Sequence, residues 1–346
     1  MGLRVAIIRL SSLGDVIIAT SVLGVLRECE VEWFVDERFS GVLKHSMRIS
    51  KIHALPFKRL LKSPKGILQI RKYCRECGEF DAVVDMQSLI KSAFIGSFIH
   101  TKRYIGFSFR GCREGLASLF YSHKVVLPYD ENILKRNLSL FEPLGVECER
   151  ILPDSRLRNI GFDEIKIQPS VKATMQIQNQ CKFLFVLEAS ITQKEYPVEK
   201  FAVLAQLISH KIQNFCVFVI WNKNETKADE LCERLGKLNI FYQKMPQLDL
   251  NELKFCIAHM DCVIGGDTGV THLAWAMGRE CITLYGNALS TSGKNMSSTK
   301  LERVLLGNPY LVSQSGEFEI SSIDENDIFK VFVENILPKL TYKAQN

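Results

Sequence analysis

Ser11-Ser12-Leu13-Gly14-Asp15 follows directly on the apolar run Val5-Ala6-Ile7-Ile8, and Gly265-Gly266-Asp267-Thr268-Gly269-Val270-Thr271-His272 follows directly on Cys262-Val263-Ile264. Each combination predicts a strand, a tight turn and the first turn of a helix. Such a turn presents backbone N–H groups and the positive end of a helix dipole, where an anion or a reacting group can bind. Two of these turns, near opposite ends of the chain, predict two nucleotide-fold halves that face one cleft.

Short apolar runs alternate with helix-like patterns in both halves of the sequence. This alternation is typical of α/β proteins, in which helices cover both faces of a parallel sheet. A chain of 346 residues is also too long for one ordinary core, which predicts two domains. We therefore expect two doubly wound Rossmann-like domains over residues 1–160 and 161–323, with a helix over 324–340 that joins the first domain. Among single elements, the patterns predict a helix over 15–28 and a strand over 239–241.

The composition indicates a soluble globular protein of the cytoplasm. Hydrophobic residues make up 47% and charged residues 24% of the chain, which are ordinary values. The apolar runs are strand-sized, no run has the length of a membrane span, and the N-terminus lacks the pattern of a signal peptide. The eleven cysteines are odd in number and irregularly spaced, which argues against a disulfide framework. Cys74 and Cys77 form a C-x-x-C without a second ligand pair, so we expect no zinc site.

The positive charge lies in the first half of the sequence. Residues 1–165 contain 25 Lys and Arg against 19 Asp and Glu, whereas the remainder contains 19 of each. Between Lys51 and Lys72 there are seven basic residues and no acidic one. A one-sided basic surface attracts phosphates or anionic lipid headgroups. Nucleic acid is the competing interpretation, but the basic residues do not follow a known nucleic-acid-binding pattern; a solvated basic face also remains open.

Several enzyme classes are disfavoured because their motifs are missing. The Walker A pattern is absent, the dinucleotide pattern G-x-G-x-x-G is replaced after the first apolar run by Arg9-Leu10-Ser11-Ser12-Leu13-Gly14, and G-x-S-x-G is absent. These absences argue against a P-loop ATPase, an NAD enzyme and an α/β-hydrolase. No D-x-D occurs, so a carboxylate-held metal bridging a sugar nucleotide is not indicated. We expect no cofactor and no metal.

Four residues in or near the turns could carry chemistry, and each also has an ordinary structural interpretation. Asp15 is either an acidic residue favoured by the helix dipole or a general base. Lys194 is either a loop lysine or a phosphate contact. Asp267 is either a helix N-cap or part of a binding site. His272 is either a histidine on a helix face or part of the same site.

Taken together, the motifs resemble those of the bacterial glycosyltransferase family 9 heptosyltransferases. The resemblance rests on Ser-Ser-Leu-Gly-Asp-Val at 11–16 and on Gly-Asp-Thr-Gly-Val-Thr-His at 266–272, which is followed by Leu-Tyr-Gly at 284–286. Three further stretches are similar to the heptosyltransferase I branch, which adds the first heptose of the lipopolysaccharide inner core: residues 81–92, residues 113–121 and Gly293-Lys294-Asn295. The resemblance covers residues 3 to 310 approximately.

The resemblance implies a GT-B architecture and a set of site residues. It makes Asp15 the catalytic base. It places a donor-binding set around ADP, in which Lys194 holds the phosphates, Glu225 the ribose and Met245 the adenine; the full set is Ser190, Lys194, Glu225, Met245, Asp267, Thr268, Gly269 and His272. Candidates for the anionic acceptor are Arg59, Arg113 and Arg136. The sequence departs from the family at Ser190-Ile191-Thr192, where two adjacent threonines are common, so one phosphate-binding hydroxyl is lost or shifted.

The function that follows from the resemblance is an inverting transfer of heptose from ADP-heptose to a Kdo hydroxyl of Kdo-lipid A. The expected partners are therefore ADP-heptose, Kdo-lipid A and, peripherally, the cytoplasmic face of the inner membrane, with no role for nucleic acid. Two alternatives stay open at this point. One is a family 9 transferase that adds a later core heptose, and the other is a non-catalytic sugar-nucleotide-binding protein on the same scaffold.

Overall fold

The computed structural model describes residues 2–146, 159–177, 180–286, 301–315 and 318–340. The chain divides into two compact units, Met1–Gly161 with Glu302–Val304 and Phe162–Leu301 with Leu305–Asn346. The boundary at Gly161 is one residue from the predicted one. Gly293-Lys294-Asn295, on which part of the resemblance rests, lies outside the described residues.

The first unit alternates strands with helices. In chain order its elements are β1 (Arg4–Ile8), α1 (Leu13–Ala19), β2 (Glu30–Asp36), α2 (Ser40–Leu43), β3 (Lys51–Leu55), α3 (Phe57–Leu60), α4 (Pro64–Glu76), β4 (Glu79–Phe80), β5 (Ala82–Asp85), α5 (Ile90–Gly96), β6 (His100–Thr101), β7 (Tyr104–Phe107), β8 (His123–Val125) and α6 (Ile133–Ser139). Six strands form a parallel sheet in the order β3-β2-β1-β5-β7-β8, and β4 pairs with β6 separately.

The order of this sheet identifies the edge at which a ligand would bind. Val5, Ala6, Ile7 and Ile8 of β1 are all 0% exposed, as expected for a strand covered on both faces. The chain runs outward from β1 to β3 and then returns to the other side of β1 through β5. The carboxyl ends of β1 and β5 therefore flank a topological switch point, where open α/β sheets bind their ligands.

The second unit repeats this arrangement. Its elements continue in chain order as α7 (Pro169–Met175), β9 (Cys181–Val186), α8 (Val198–Ser209), β10 (Phe215–Val219), α9 (Glu225–Lys237), β11 (Tyr242–Lys244), α10 (Leu250–Ala258), β12 (Cys262–Gly266), α11 (Gly269–Ala276) and β13 (Glu280–Tyr285). The short helix α12 (Leu301–Val304), most of which belongs to the first unit, precedes the last two elements, β14 (Tyr310–Val312) and α13 (Glu325–Asn335). The sheet is parallel in the order β11-β10-β9-β12-β13-β14. Its switch point lies between β9 and β12, and the prediction of two doubly wound sheets is confirmed.

The C-terminal helix corrects the predicted domain organisation. We expected it to join the first domain, but α13 packs into the core of the second unit. Ile328, Phe332 and Ile336, spaced four residues apart, are 0% exposed, and the Phe332 ring lies 5.6 Å from that of Phe183 in β9. This spacing forms one apolar helix face, which the second sheet buries.

Other differences concern short elements. The strands β3 and β14 were not predicted, and the strand expected at 239–241 begins three residues later as β11. The predicted helix over 15–28 ends at Ala19 and continues only as the 3₁₀ helix Thr20–Gly24. No helix among the described residues has both the length and the apolar character needed to cross a membrane.

Candidate active site

Asp15 lies at the carboxyl end of β1, in the first turn of α1. Its Oδ2 accepts hydrogen bonds from the backbone N–H of Ser12 at 3.1 Å and from the Ser12 hydroxyl at 2.8 Å. Its Oδ1 lies 2.7 Å from Nη2 of Arg9. The Asp15 side chain is nevertheless 41% exposed. The carboxylate is thus held in one orientation at a helix N-terminus and is still accessible to a reactant.

The turn that carries Asp15 is attached to the neighbouring strand through Gln87. The Gln87 side chain accepts a hydrogen bond from the N–H of Leu10 at 2.7 Å and donates one to the Ser11 hydroxyl at 3.2 Å. Arg9 completes the connection, because its Nη1 donates to the carbonyl of Met86 at 2.6 Å. The two sides of the first switch point are therefore hydrogen-bonded to each other.

Asp85 supports this arrangement from inside the unit. Its side chain is 0% exposed and accepts hydrogen bonds from the N–H of Gln87, the Ser92 hydroxyl and the Tyr121 hydroxyl, each at 2.8 Å. Burial raises the pKa of Asp85, although these hydrogen bonds act in the opposite direction. Sequence reasoning named neither Arg9 nor Gln87 as site residues; the only signal was that Gln87 falls within the stretch 81–92.

Lys194, Asp267 and His272 come together at the second switch point. The Lys194 Nζ lies 2.5 Å from Oδ2 of Asp267, and the His272 Nε2 lies 3.1 Å from its Oδ1. Burial acts to raise the pKa of Asp267, but the hydrogen bond from His272 and the charges of His272 and Lys194 outweigh it and hold the pKa well below its usual range. Asp267 is thus an ionised carboxylate between two nitrogen donors.

The backbone around Asp267 is shaped by a close approach. A Cβ on Gly266 would lie 2.2 Å from the carbonyl oxygen of Lys194, so only glycine lets the lysine loop approach the end of β12. The Thr271 hydroxyl donates to the Gly266 carbonyl at 2.7 Å. Thr268 is the N-cap residue and Gly269 the first residue of α11, whose N-terminal N–H groups form an anion-binding end of the helix.

His272 has a further polar atom available. The residue is 8% exposed, and its Nδ1 is buried without a hydrogen-bond partner within the described part of the chain. A buried ring nitrogen without a partner costs free energy, so a ligand that pairs with it would gain affinity.

The remaining predicted donor residues lie on separate loops of the second unit. Ser190 is exposed in the loop after β9. Glu225 begins α9 with its side chain 53% exposed and accepts from the Lys244 Nζ at 2.8 Å. Met245 is 1% exposed, and its carbonyl accepts from the Trp221 indole N–H at 3.1 Å. Direct contact between the Met245 side chain and an adenine does not fit this burial, so the expectation for this residue is corrected.

The three predicted acceptor arginines differ in exposure. Arg59 and Arg113 are exposed, whereas Arg136 is 3% exposed. The Arg136 guanidinium donates to the carbonyls of Pro128 at 2.5 Å and Gly111 at 2.7 Å and lies over the Phe107 ring. Its hydrogen bonds are used to hold two loops together, so Arg136 does not fit the predicted role in acceptor binding.

Within the residues that the structure describes, no group of three or more His, Cys, Asp or Glu side chains could hold a metal ion. The arrangement offers instead an oriented carboxylate in one unit and an anion-binding strand edge in the other. An oriented carboxylate can accept a proton, and the N–H groups of a helix N-terminus with a nearby lysine can bind a diphosphate.

Comparison with known proteins identifies a family and several similar sequences. The family model for glycosyltransferase family 9 (heptosyltransferase) matches residues 67–305. Lipopolysaccharide heptosyltransferase 1 of Campylobacter coli is 30% identical, with 96% of this chain and 98% of that protein covered. The protein of the same name from Escherichia coli K12 is 25% identical, with 93% and 100% covered.

The solved structure of E. coli heptosyltransferase WaaC with ADP superimposes with a TM-score of 0.73 over 96% of this chain and 100% of that chain, at 20% identity. This likeness confirms the predicted GT-B type of fold. The family model matches well over half of the sequence and the C. coli relative covers almost all of it; the chain therefore belongs to glycosyltransferase family 9, the heptosyltransferases.

Proposed function

We propose that the protein transfers L-glycero-D-manno-heptose from ADP-heptose to a Kdo hydroxyl of Kdo-lipid A, which adds the first heptose of the lipopolysaccharide inner core. The observation that carries the proposal is the Asp15 carboxylate, which is oriented by Arg9 and Ser12 and remains 41% exposed at the first switch point. The names of the C. coli and E. coli relatives support the choice of a lipopolysaccharide acceptor.

Asp15 acts as the general base. It takes the proton from the acceptor hydroxyl while the hydroxyl oxygen attacks the anomeric carbon of the heptose. The bond from that carbon to the diphosphate breaks with its electron pair, ADP leaves, and the configuration inverts in one displacement. A positioned base contributes about 10²–10⁴-fold to such a step. Arg9 holds the carboxylate in place, and Asp15 then releases the proton to water.

The second unit binds the donor through its own switch point. Lys194, His272 and the N–H groups of Thr268 and Gly269 bind the diphosphate and stabilise the charge that develops as ADP leaves. Asp267 is ionised and pairs with both Lys194 and His272. It therefore acts by orienting these two donors, since a direct contact with the diphosphate would be repulsive.

Other parts of the donor are bound by the loops around this edge. The Ser190 hydroxyl supplies a phosphate contact in place of the hydroxyl that Ile191 cannot provide. Glu225 binds the adenosine ribose hydroxyls once Lys244 moves to one side. The adenine lies near the half-buried indole of Trp221, whose position depends on the Met245 carbonyl. The solved WaaC structure with ADP supports an adenine nucleotide as the ligand.

The basic half of the sequence binds the acceptor. Arg59 and Arg113 are exposed and contact the Kdo carboxylates or the lipid A phosphates. The same positive surface keeps the protein at the cytoplasmic face of the inner membrane, which is anionic. This location also gives the protein access to a lipid acceptor.

ADP release measured with purified substrates tests the proposal. We expect release only when ADP-heptose and Kdo-lipid A are both present. Asp15→Asn lowers kcat by about 10²–10⁴-fold and leaves ADP affinity, measured by calorimetry, unchanged. The matched control is Glu76→Gln, an exposed carboxylate of the same unit, which retains full activity.

Three outcomes would contradict the proposal. Full activity of Asp15→Asn would exclude Asp15 as the general base. Turnover with heptosylated acceptor alone would indicate a later heptose, and ADP-heptose binding without any ADP release would indicate a non-catalytic protein.

A further inference from the structure

An open groove of 520 Å³ lies in the first unit between the start of α4 and the start of α5. Apolar side chains form most of its wall: Leu61, Ile67, Leu89, Ile90 and Phe94. Lys91 lines it as well. The groove is open to solvent, and the donor and base residues described above do not line it.

The wall of the groove is preformed. The Phe94 ring packs edge-on against Phe98, with ring centroids 4.7 Å apart, and against Phe120 at 6.3 Å. Glu114, the remaining charged residue of the lining, accepts a hydrogen bond from the N–H of Ile90 at 2.7 Å. The Glu114 carboxylate is therefore used to begin α5, and the exposed Lys91 supplies the positive charge beside the apolar wall.

Apolar surface continues next to the groove. Ile90 is 40% exposed, and Leu116 and Leu119 of the 3₁₀ helix Gly115–Phe120 are 56% and 73% exposed. This helix packs beside α5 through the Phe94–Phe120 contact. Exposed apolar side chains that cluster rather than scatter mark an interaction surface.

Positive charge borders the same surface. Lys58, Arg59, Lys62 and Lys65 are exposed around Leu61, and no acidic residue occurs between Lys51 and Lys72. An apolar groove with cations beside it complements a molecule that has an anionic head and an apolar tail. Few metabolites other than lipids combine the two.

The residues that line the groove follow strands of the same sheet as Asp15. Leu61 follows β3, Leu89 to Phe94 follow β5, and Glu114 follows β7. Because all strands of this sheet are parallel, their carboxyl ends lie along one edge, to which the turn after β1 with Asp15 also belongs. The groove therefore lies at the same edge of the sheet as the base.

We propose that this groove binds one acyl chain of the lipid acceptor, while Lys91 and the cations around Leu61 bind its phosphates. The inference rests on the proposed function for the identity of the lipid. It adds a site at which the acceptor is recognised by its acyl chain, in addition to recognition by its sugar and phosphates.

Two neighbouring residues of α4 provide a matched test. Ile67 lines the groove, whereas Leu68 is 62% exposed and does not line it. We expect Ile67→Asn and Ile90→Asn to raise the KM for Kdo-lipid A at least tenfold. With the same phosphorylated saccharide lacking its acyl chains, kcat/KM stays within twofold of the unsubstituted protein. Leu68→Asn changes neither value, and circular dichroism verifies that the variants are folded.

The proposal is overturned if Ile67→Asn affects both acceptors equally or affects neither. Flotation with vesicles of phosphatidylglycerol and phosphatidylethanolamine, which contain no acceptor, distinguishes a groove that binds the acceptor from a groove that binds the bilayer. Equal flotation of Ile67→Asn and the unsubstituted protein supports the acceptor as the molecule that binds in the groove. Loss of flotation in Ile67→Asn would show that the groove binds the bilayer and would overturn the proposal.

A binding measurement tests the groove independently of catalysis. Calorimetry with dodecanoyl lysophosphatidic acid, below its micelle concentration, is expected to show binding that Ile67→Asn weakens at least tenfold and Leu68→Asn preserves. If this binding is found but no heptose is transferred, the proposed function fails and the acyl site stands. If heptose is transferred but the probe does not bind, the acyl site fails alone.

Discussion

At the scale of single residues, burial decides which arginines are available to a ligand. Arg136 has 3% of its surface exposed and donates to two carbonyls. Burial and the nearby charge of Arg303 lower the pKa of Arg136 to about 10. Arg113 is exposed. The two arginines cannot be distinguished by charge in the sequence. Only the exposed Arg113 can exchange its contacts with water for contacts with an anion.

Substitution of each arginine by methionine should separate these roles. Arg136→Met leaves the carbonyls of Pro128 and Gly111 without their donor and is expected to lower the free energy of unfolding by about 2–4 kcal/mol. Arg113→Met is expected to leave stability within about 0.5 kcal/mol and to raise the KM for Kdo-lipid A about threefold to tenfold. Urea unfolding and acceptor titration measure the two effects, and a stable Arg136→Met with raised acceptor KM would restore the original expectation.

The limits of sequence reasoning are visible at this scale. Asp15 and Asp267 were found because each follows an apolar run and a Gly-containing turn, which is a local signal. Arg9 and Gln87 were missed because their hydrogen bonds connect β1 with β5, which are far apart in sequence. Met245 and Arg136 were misjudged because side-chain burial depends on the packing of the whole unit, which a single motif does not report.

At the scale of elements, one glycine sets the distance between the end of β12 and the loop that carries Lys194. Gly266→Ala would place a Cβ 2.2 Å from the Lys194 carbonyl oxygen. Because this oxygen belongs to the backbone, the clash cannot be relieved by rotating a side chain. We expect a loss of about 1–3 kcal/mol of stability together with weaker ADP binding, because the loop and its lysine are displaced.

Gly236 in α9 provides the control for this prediction. A Cβ there has Tyr242 Cε1 as its nearest contact at 3.8 Å, so Gly236→Ala should raise stability by about 0.5–1 kcal/mol and leave ADP affinity unchanged. Thermal unfolding and calorimetric ADP titration measure both variants. Unaltered ADP affinity in Gly266→Ala would show that the lysine loop does not depend on this close approach.

The paired strands β2 and β3 contain a buried acid–imidazole pair that makes stability depend on pH. The His53 Nε2 lies 2.6 Å from Glu32 and its Nδ1 lies 2.9 Å from the Tyr73 hydroxyl. Burial lowers the pKa of His53. The Glu32 carboxylate acts to raise this pKa, and the charge of Lys51 lowers it further, so the pKa remains below its usual value. The unfolded chain therefore binds a proton near pH 6.5 that the folded chain binds only at lower pH.

The free energy of unfolding should consequently fall as the pH decreases below about 6.5, by up to about 1.4 kcal/mol per pH unit from this group, until the lowered pKa is reached. Urea unfolding at a series of pH values is expected to show this slope in the unsubstituted protein. His53→Gln should reduce it, and His123→Gln, at an exposed position, should not. Identical pH profiles for all three proteins would exclude His53 as the origin.

At the scale of the whole molecule, the two units form sheets with the same strand order. The alternation of apolar runs and helices was sufficient to predict this repetition, since it depends on local patterns that occur throughout the chain. The position of α13 was not predictable in the same way. Its apolar spacing indicates a helix with one buried face but not which sheet buries it. That choice depends on contacts between residues far apart in sequence, such as the one between Phe332 and Phe183.

Removing one ring from α13 tests where this helix belongs. Phe332 is 0% exposed, and Phe332→Ala should cost about 3–5 kcal/mol. Hydrogen exchange of the full chain, followed by mass spectrometry, is expected to show faster exchange in peptides from β9 and β13, because α13 packs against these strands. Peptides from β1 and β5 should exchange as before, since the first sheet has its own core. Glu334→Ala, at an exposed position of the same helix, should change neither set. Faster exchange in β1 instead of β9 would return the helix to the first unit.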